Sequence, residues 1–257
     1  MSNDTIPKTL TVAILLCVVC SVLVSGAAVS LRPLQEKNAA LFTKKNILIA
    51  GGLMEEGKDI DSLFQRIEPK IVDLATGDFD ESINAAKYDQ RKAAKTADLS
   101  VVIPKEKDWG NIITRAKKAP VYLVKEGDQI ETMILPIHGK GLWGTMYGFL
   151  ALAADANTVK GITFYEHKET PGLGGEVENP RWQKQWVGKK LFDENNKLVI
   201  DLLKGSVDKS KPEAIYQVDG LSGATITTDS VDNFIRYWLD DHGFGRFLAK
   251  MKGGLNG

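Results

Sequence analysis

Asp219-Gly220-Leu221-Ser222-Gly223-Ala224-Thr225-Ile226-Thr227 runs directly into Thr228-Asp229-Ser230-Val231-Asp232-Asn233-Phe234-Ile235-Arg236-Tyr237-Trp238-Leu239. From Thr228 onward, Val231, Phe234, Ile235, Trp238 and Leu239 recur at helical spacing, so an amphipathic helix is expected there. Thr228, Asp229 and Ser230 read as its cap and acidic first turn; Gly243 and Gly245, with His242 close by, read as its exit. Unpaired N–H groups at a helix start attract anions, and Gly223 lets the backbone approach a ligand closely. A phosphate held at this turn fits the pattern. So does an ordinary capped helix after a turn.

Working outward, two apolar pairs read as hairpins. Val121 to Val124 and Thr132 to Ile137 flank Glu126-Gly127-Asp128, while Tyr147 to Leu152 and Gly161 to Tyr165 flank Asp155-Ala156-Asn157. Ile60, Leu63, Phe64 and Ile67 suggest a helix ended near Pro69, followed by a short strand at Ile71 to Leu74. A short helix over Pro180 to Trp186 and a strand at Leu198 to Leu203 precede the Thr225 turn. Adjacent hairpins followed by a terminal helix predict an α+β fold with a largely antiparallel sheet and flanking helices.

Leu10 to Leu31 carries no charge and is rich in Leu, Val, Ile and Ala. At 1.5 Å per residue it reaches ~33 Å, enough for one N-terminal transmembrane helix in the lipid bilayer. It is also long for the apolar part of a cleaved signal. Gln35 to Leu48 has a composition that continues the helix outward. Lys8 precedes the span, whereas Arg32, Lys37, Lys44 and Lys45 follow it, a bias that places the large domain in the cytoplasm; that rule is weak for long translocated domains. The only cysteines, Cys17 and Cys20, share one face of this helix and read as packing residues.

The 257 residues balance 33 basic against 33 acidic side chains, so nothing pulls the chain generally toward nucleic acid. Lys105, Lys107, Lys117 and Lys118 read as a solvated face. His138, His167 and His242 share no metal-ligand spacing, and no catalytic triad is legible. Gly139-x-Gly141-x-x-Gly144 satisfies the dinucleotide fingerprint in letters, but the residues after it suit a strand. A glycine-rich loop between strands is the better reading, with Trp143 placed to pack on a flat ring or in the core.

Asp219-x-x-Ser222-Gly223-Ala224-Thr225 resembles the flavinylation motif of FMN-binding subunits in bacterial membrane redox complexes. Tyr88 to Lys95, Gly139 to Trp143, Glu169 to Glu176 and Trp186 to Lys190 extend the match. The collinear set is similar to the C subunit, the covalent FMN-binding member, of the bacterial Na+-translocating NADH:ubiquinone reductases. The resemblance implies FMN joined by a flavin transferase to Thr225 through a phosphoester, with Asp219, Ser222, Gly223 and Ala224 as recognition context. It also implies contacts to the flavin from Gly141, Leu142, Trp143, Glu169, Thr170, Gly172, Leu173 and Gly174, and Lys204 is a further candidate to offset phosphate charge. The expected role is electron transfer among the other subunits of a complex that oxidises NADH, reduces ubiquinone and moves Na+, with no catalytic residue and no metal in this chain. The large domain is expected on the periplasmic face of the inner membrane.

The expected organisation is a tail (1–9), a transmembrane helix (10–31), an accessory α/β region (32–110) and an FMN-binding domain (111–257), with a boundary between Pro104 and Asn111. Alternatives are the flavin subunit of a related Rnf-type ferredoxin:NAD+ reductase, a membrane-anchored domain without cofactor, and a soluble NAD-dependent enzyme using the Gly139 loop.

Overall fold

A computed structural model describes residues 5–254. The chain divides into two compact units, 1–43 and 44–257. In the first, α1 (Ile6–Ala50) supplies the whole described structure. Its residues from Leu10 to Leu31 are all exposed, and the helix is long and apolar enough to cross a membrane.

The second unit begins with the last turns of α1 and continues through α2 (Ile60–Phe64) into β1 (Ile67–Asp73). After α3 (Gln90–Ala93) come a small ribbon, β2 (Ser100–Val102) with β3 (Thr114–Ala116), and then β4 (Lys118–Glu126), β5 (Gln129–Lys140), β6 (Thr145–Ala153) and β7 (Val159–Glu166). Next are α4 (Pro180–Lys184), β8 (Asp201–Leu202) and its parallel partner β9 (Gln217–Val218), α5 (Thr225–Leu239) and α6 (Gly245–Gly254). The main sheet has the order β1-β4-β5-β6-β7, antiparallel throughout. The α+β expectation holds.

This sheet is buried on both faces, which explains the nearly continuous apolar runs of its strands. On one face Ile134, Phe149 and Ala151 meet Ile47, Leu48 and Ala50 of α1 and Leu63 of α2. On the other, Met133, Leu135, Ile137, Leu150 and Leu152 share a core with Val231, Phe234, Ile235 and Trp238 of α5. Alternate residues of one strand thus serve two cores. Two glycines set the spacing. A Cβ on Gly161 would lie 2.4 Å from the carbonyl oxygen of Ala50, and one on Gly139 would lie 2.3 Å from Cβ of Phe234. The indole N–H of Trp238 donates to the carbonyl of His138 at 2.6 Å, locking α5 to the same strand.

Several expectations are corrected. α5 starts at Thr225, three residues before the expected first turn, because Thr228 is already inside it: its hydroxyl donates to the carbonyl of Ala224 and accepts the N–H of Leu221. The helix ends at Leu239; Gly243 lies in the turn that follows, and Gly245 opens α6. Ile67 and Pro69 lie in β1, where Ile67 pairs with Val124; proline is tolerated because β1 is an edge strand. The strand expected at Leu198 to Leu203 shrinks to β8, with Leu198 in an isolated bridge to Phe192.

The segment from Pro104 to Asn111 lies within the larger unit and packs against α5 through Gly110. The Gly110 carbonyl accepts from the N–H of Lys140, and the Asp108 carboxylate accepts the N–H groups of Ile112 and Ile113, holding Ile113 at a φ of 69°.

Gly139→Ala forces α5 off the sheet and is expected to cost about 1–3 kcal/mol, read as a lowered thermal midpoint. Burial of His138 between Tyr147 and Trp238, with the Arg91 charge nearby, pulls its pKa down to about 4. An unfolded histidine titrates near about 6.5, so only the unfolded chain takes up this proton between those values. The contribution is complete above pH ~6.5 and is lost as pH falls toward ~4, by at most about 3 kcal/mol. Thermal melts across that range should show the slope in the wild type and a shallower one in His138→Gln.

Candidate functional site

The turn before α5 is held by backbone and buried groups. Asp219 uses its carboxylate internally, accepting the N–H of Val207 at 2.6 Å, while its carbonyl accepts the indole N–H of Trp182 at 2.8 Å. Its own N–H donates to Gln185 Oε1 at 3.2 Å. A Cβ on Gly220 would sit 2.1 Å from the carbonyl oxygen of Leu203, and Gly223 has a φ of +69°. Asp219, half-buried, therefore shapes the turn through its hydrogen bonds.

This wiring leaves Ser222 and Thr225 exposed, with Thr225 as the first residue of α5. The N-cap position is Ala224, which supplies no side-chain hydrogen bond, and the first turn holds no acidic residue. The helix start is thus electropositive and uncapped by its own sequence. Its fifteen residues give the macrodipole full length.

Two further loops join this end of the helix through one carboxylate. Glu169, 5% exposed, accepts the Thr227 hydroxyl on Oε2 at 2.6 Å and the N–H of Trp143 on Oε1 at 3.0 Å. Both neighbouring glycines make room for it. A Cβ on Gly141 would lie 2.6 Å from Oε1, and one on Gly174 would lie 2.7 Å from Oε2 and 2.5 Å from Thr227 Oγ1. The Glu169 N–H donates to Nδ1 of His167, and the carbonyl of Thr170 accepts from Leu173 and Gly175, closing the loop with Gly172 at a φ of +77°.

On the segments so tied together, Leu142, Trp143, Leu173 and Ile226 remain exposed, Trp143 at 64%. Leu173 reaches to 3.2 Å from a Cβ built on Gly223, directly beside the Thr225 turn. Exposed large apolar groups beside an electropositive helix start suit a ligand with a flat apolar part and an anionic end. Lys204 lies 3.6 Å from Asp229 in a largely solvated ion pair, near the first turns of α5 but committed to that partner.

The structure thus brings together Gly141, Leu142, Trp143, Glu169, Leu173, Gly174, Gly223 and Thr225, with Thr170 and Gly172 on the closed loop. It buries Glu169 and commits the half-buried Asp219 to hydrogen bonds within the turn. Sequence reasoning missed Ile226 and Thr227; an isoleucine in the first turn, off the apolar face of α5, was the available signal. Gly139 to Gly144 is the end of one strand and a turn closed by the Gly141 N–H on the Gly144 carbonyl, followed by β6, so the dinucleotide reading is excluded. No cluster of metal-ligating side chains occurs among the described residues.

Residues 141–240, the span that holds this whole arrangement, match the FMN-binding domain family. Over 257 residues, 99% of each chain, the protein is 53% identical to the C subunit of the Na(+)-translocating NADH-quinone reductase of Vibrio vulnificus strain YJ016. The chain belongs to the NqrC family, the C subunits of the Na(+)-translocating NADH-quinone reductases. The Pseudomonas aeruginosa PAO1 member is 46% identical over 257 residues, 98% of each chain. Crystallographic NqrC of Shewanella oneidensis superposes with a TM-score of 0.75 at 34% identity, over 82% of this chain and 96% of that one. The Parabacteroides distasonis member gives 0.65 at 28% identity, over 85% of this chain and 96% of that one. The expected family is borne out, and α1 fits a membrane-anchored member of it.

Gly174→Ala pushes a methyl group into the Glu169–Thr227 contact. Hydrogen exchange of the Trp143 amide should accelerate in this variant, because its acceptor is displaced.

Proposed function

We propose that this chain carries FMN as a phosphoester on Thr225 and serves as an electron-transfer subunit of a Na+-translocating NADH:ubiquinone reductase. The observation that carries the reading is the exposed Thr225 hydroxyl at the uncapped start of α5, inside the span matching the FMN-binding domain family. Bound FMN supplies the electron-accepting and electron-donating chemistry. The protein supplies position and environment. The first-turn N–H groups of α5 offset the phosphate charge, and Gly223 keeps the approach open. Leu142, Trp143, Leu173 and Ile226 shield the ring from water, and the loop from Thr170 to Gly174 lies alongside it.

Residues 111–257 hold the cofactor in this reading, with 32–110 as an accessory region and 10–31 in the lipid bilayer. We assign the larger unit to the periplasmic face against the lysine and arginine bias, which is weak for long translocated segments. A covalent link suits that compartment, where a lost cofactor is not readily replaced. A flavin transferase forms the bond from Thr225 Oγ to phosphorus as the pyrophosphate bond of a flavin dinucleotide donor breaks, and the nucleoside monophosphate leaves with the hydroxyl proton. Other subunits of the complex deliver and remove the electrons.

Full-length wild type, Thr225→Ser and Thr225→Ala, each coexpressed with the flavin transferase, test the attachment by intact mass. Wild type should gain FMN less one water and keep its flavin fluorescence through a denaturing gel, Thr225→Ser should retain part of this, and Thr225→Ala should carry none. An adduct on Thr225→Ala, or none on wild type, overturns the proposal.

A further inference from the structure

We infer that Glu169 is a positioning residue for the flavin, and that its buried charge sets the potential at which the site works. The inference rests on the reading of Thr225 as the point of attachment. A buried carboxylate is costly unless it is paired or well hydrogen-bonded, and no lysine or arginine lies within salt-bridge distance of Glu169 among the described residues. Its charge is offset by two donors, the Thr227 hydroxyl and the Trp143 N–H, and by the positive end of α5. α5 has neither a capping side chain nor an acid in its first turn, so Glu169 supplies from a distant segment the negative charge that helices ordinarily carry there.

The surroundings are shaped for that group. Gly141 and Gly174 stand where any side chain would collide with one or the other carboxylate oxygen. The same contacts join all three segments that face the ligand: the turn at Trp143, the loop from Glu169 to Gly174, and the first turn bearing Thr225. Removing the carboxylate releases Trp143 and Thr227 together. A fixed negative charge near a flavin also disfavours electron uptake, because reduction makes the cofactor more negative. Glu169 would thereby oppose the pull of the helix end on the same cofactor.

Charge and geometry can be separated. In Glu169→Gln the amide oxygen can still accept from Trp143, and the amide NH2 can donate to Thr227, whose hydroxyl accepts as well as donates. Glu169→Ala removes both links. We would measure flavin content, the flavin midpoint potential and exchange of the Trp143 amide in the full-length protein coexpressed with the transferase. Glu169→Gln should keep the flavin and the protected amide, with the potential shifted positive. Glu169→Ala should lose amide protection. An unchanged potential in a flavin-loaded Glu169→Gln overturns the electrostatic role, and a protected Trp143 amide in Glu169→Ala overturns the clamp. Wild type without covalent flavin overturns the Thr225 reading, and this inference with it.

Discussion

Gly139 has no side chain, and α5 therefore lies directly on β5. Phe234 fills the space that a Cβ would occupy, Trp238 donates to the His138 carbonyl one residue earlier, and Gly110 meets Phe234 from the neighbouring loop. This close seating fixes the axis of α5 relative to the sheet, and so fixes where its first residue emerges. A shift of the helix would carry Thr225 and Thr227 away from the turn after β5, which comes from the same strand. Position in the site is inherited from packing in the core.

The four strands β4 to β7 were legible because their apolar runs are long and their turns carry strong signals, Gly127 in one and Asp155 to Asn157 in the other. The start of α5 was misplaced for a definite reason. Thr228 has the composition of a cap, yet its hydroxyl reaches back to Ala224 and Leu221 from inside the first turn. Ile67 failed similarly, since it falls at helical spacing with Ile60, Leu63 and Phe64 while its partner Val124 lies far along the chain.

Thr225 and the two glycine loops, which the structure brings to one end of α5, stand out in the sequence through resemblance to a family. The burial of Glu169 and the hydrogen bonds of Asp219 within the turn are not legible there. Glu169 bonds to residues 26 and 58 positions away, and no local pattern encodes such pairings. The resemblance implies that Gly141 and Gly174 contact the flavin. In the structure they make room for a carboxylate of the protein itself.

The turn holds four alcohol side chains, Ser222, Thr225, Thr227 and Thr228, within seven consecutive positions. Thr227 spends its proton on Glu169 and Thr228 on the Ala224 carbonyl, and both are 1% exposed. At this turn, an enzyme acting on the folded chain would meet only Ser222 and Thr225 as accessible hydroxyls. Selectivity among the alcohols of this threonine-rich turn is thus partly written into the fold, which leaves two oxygens open to solvent.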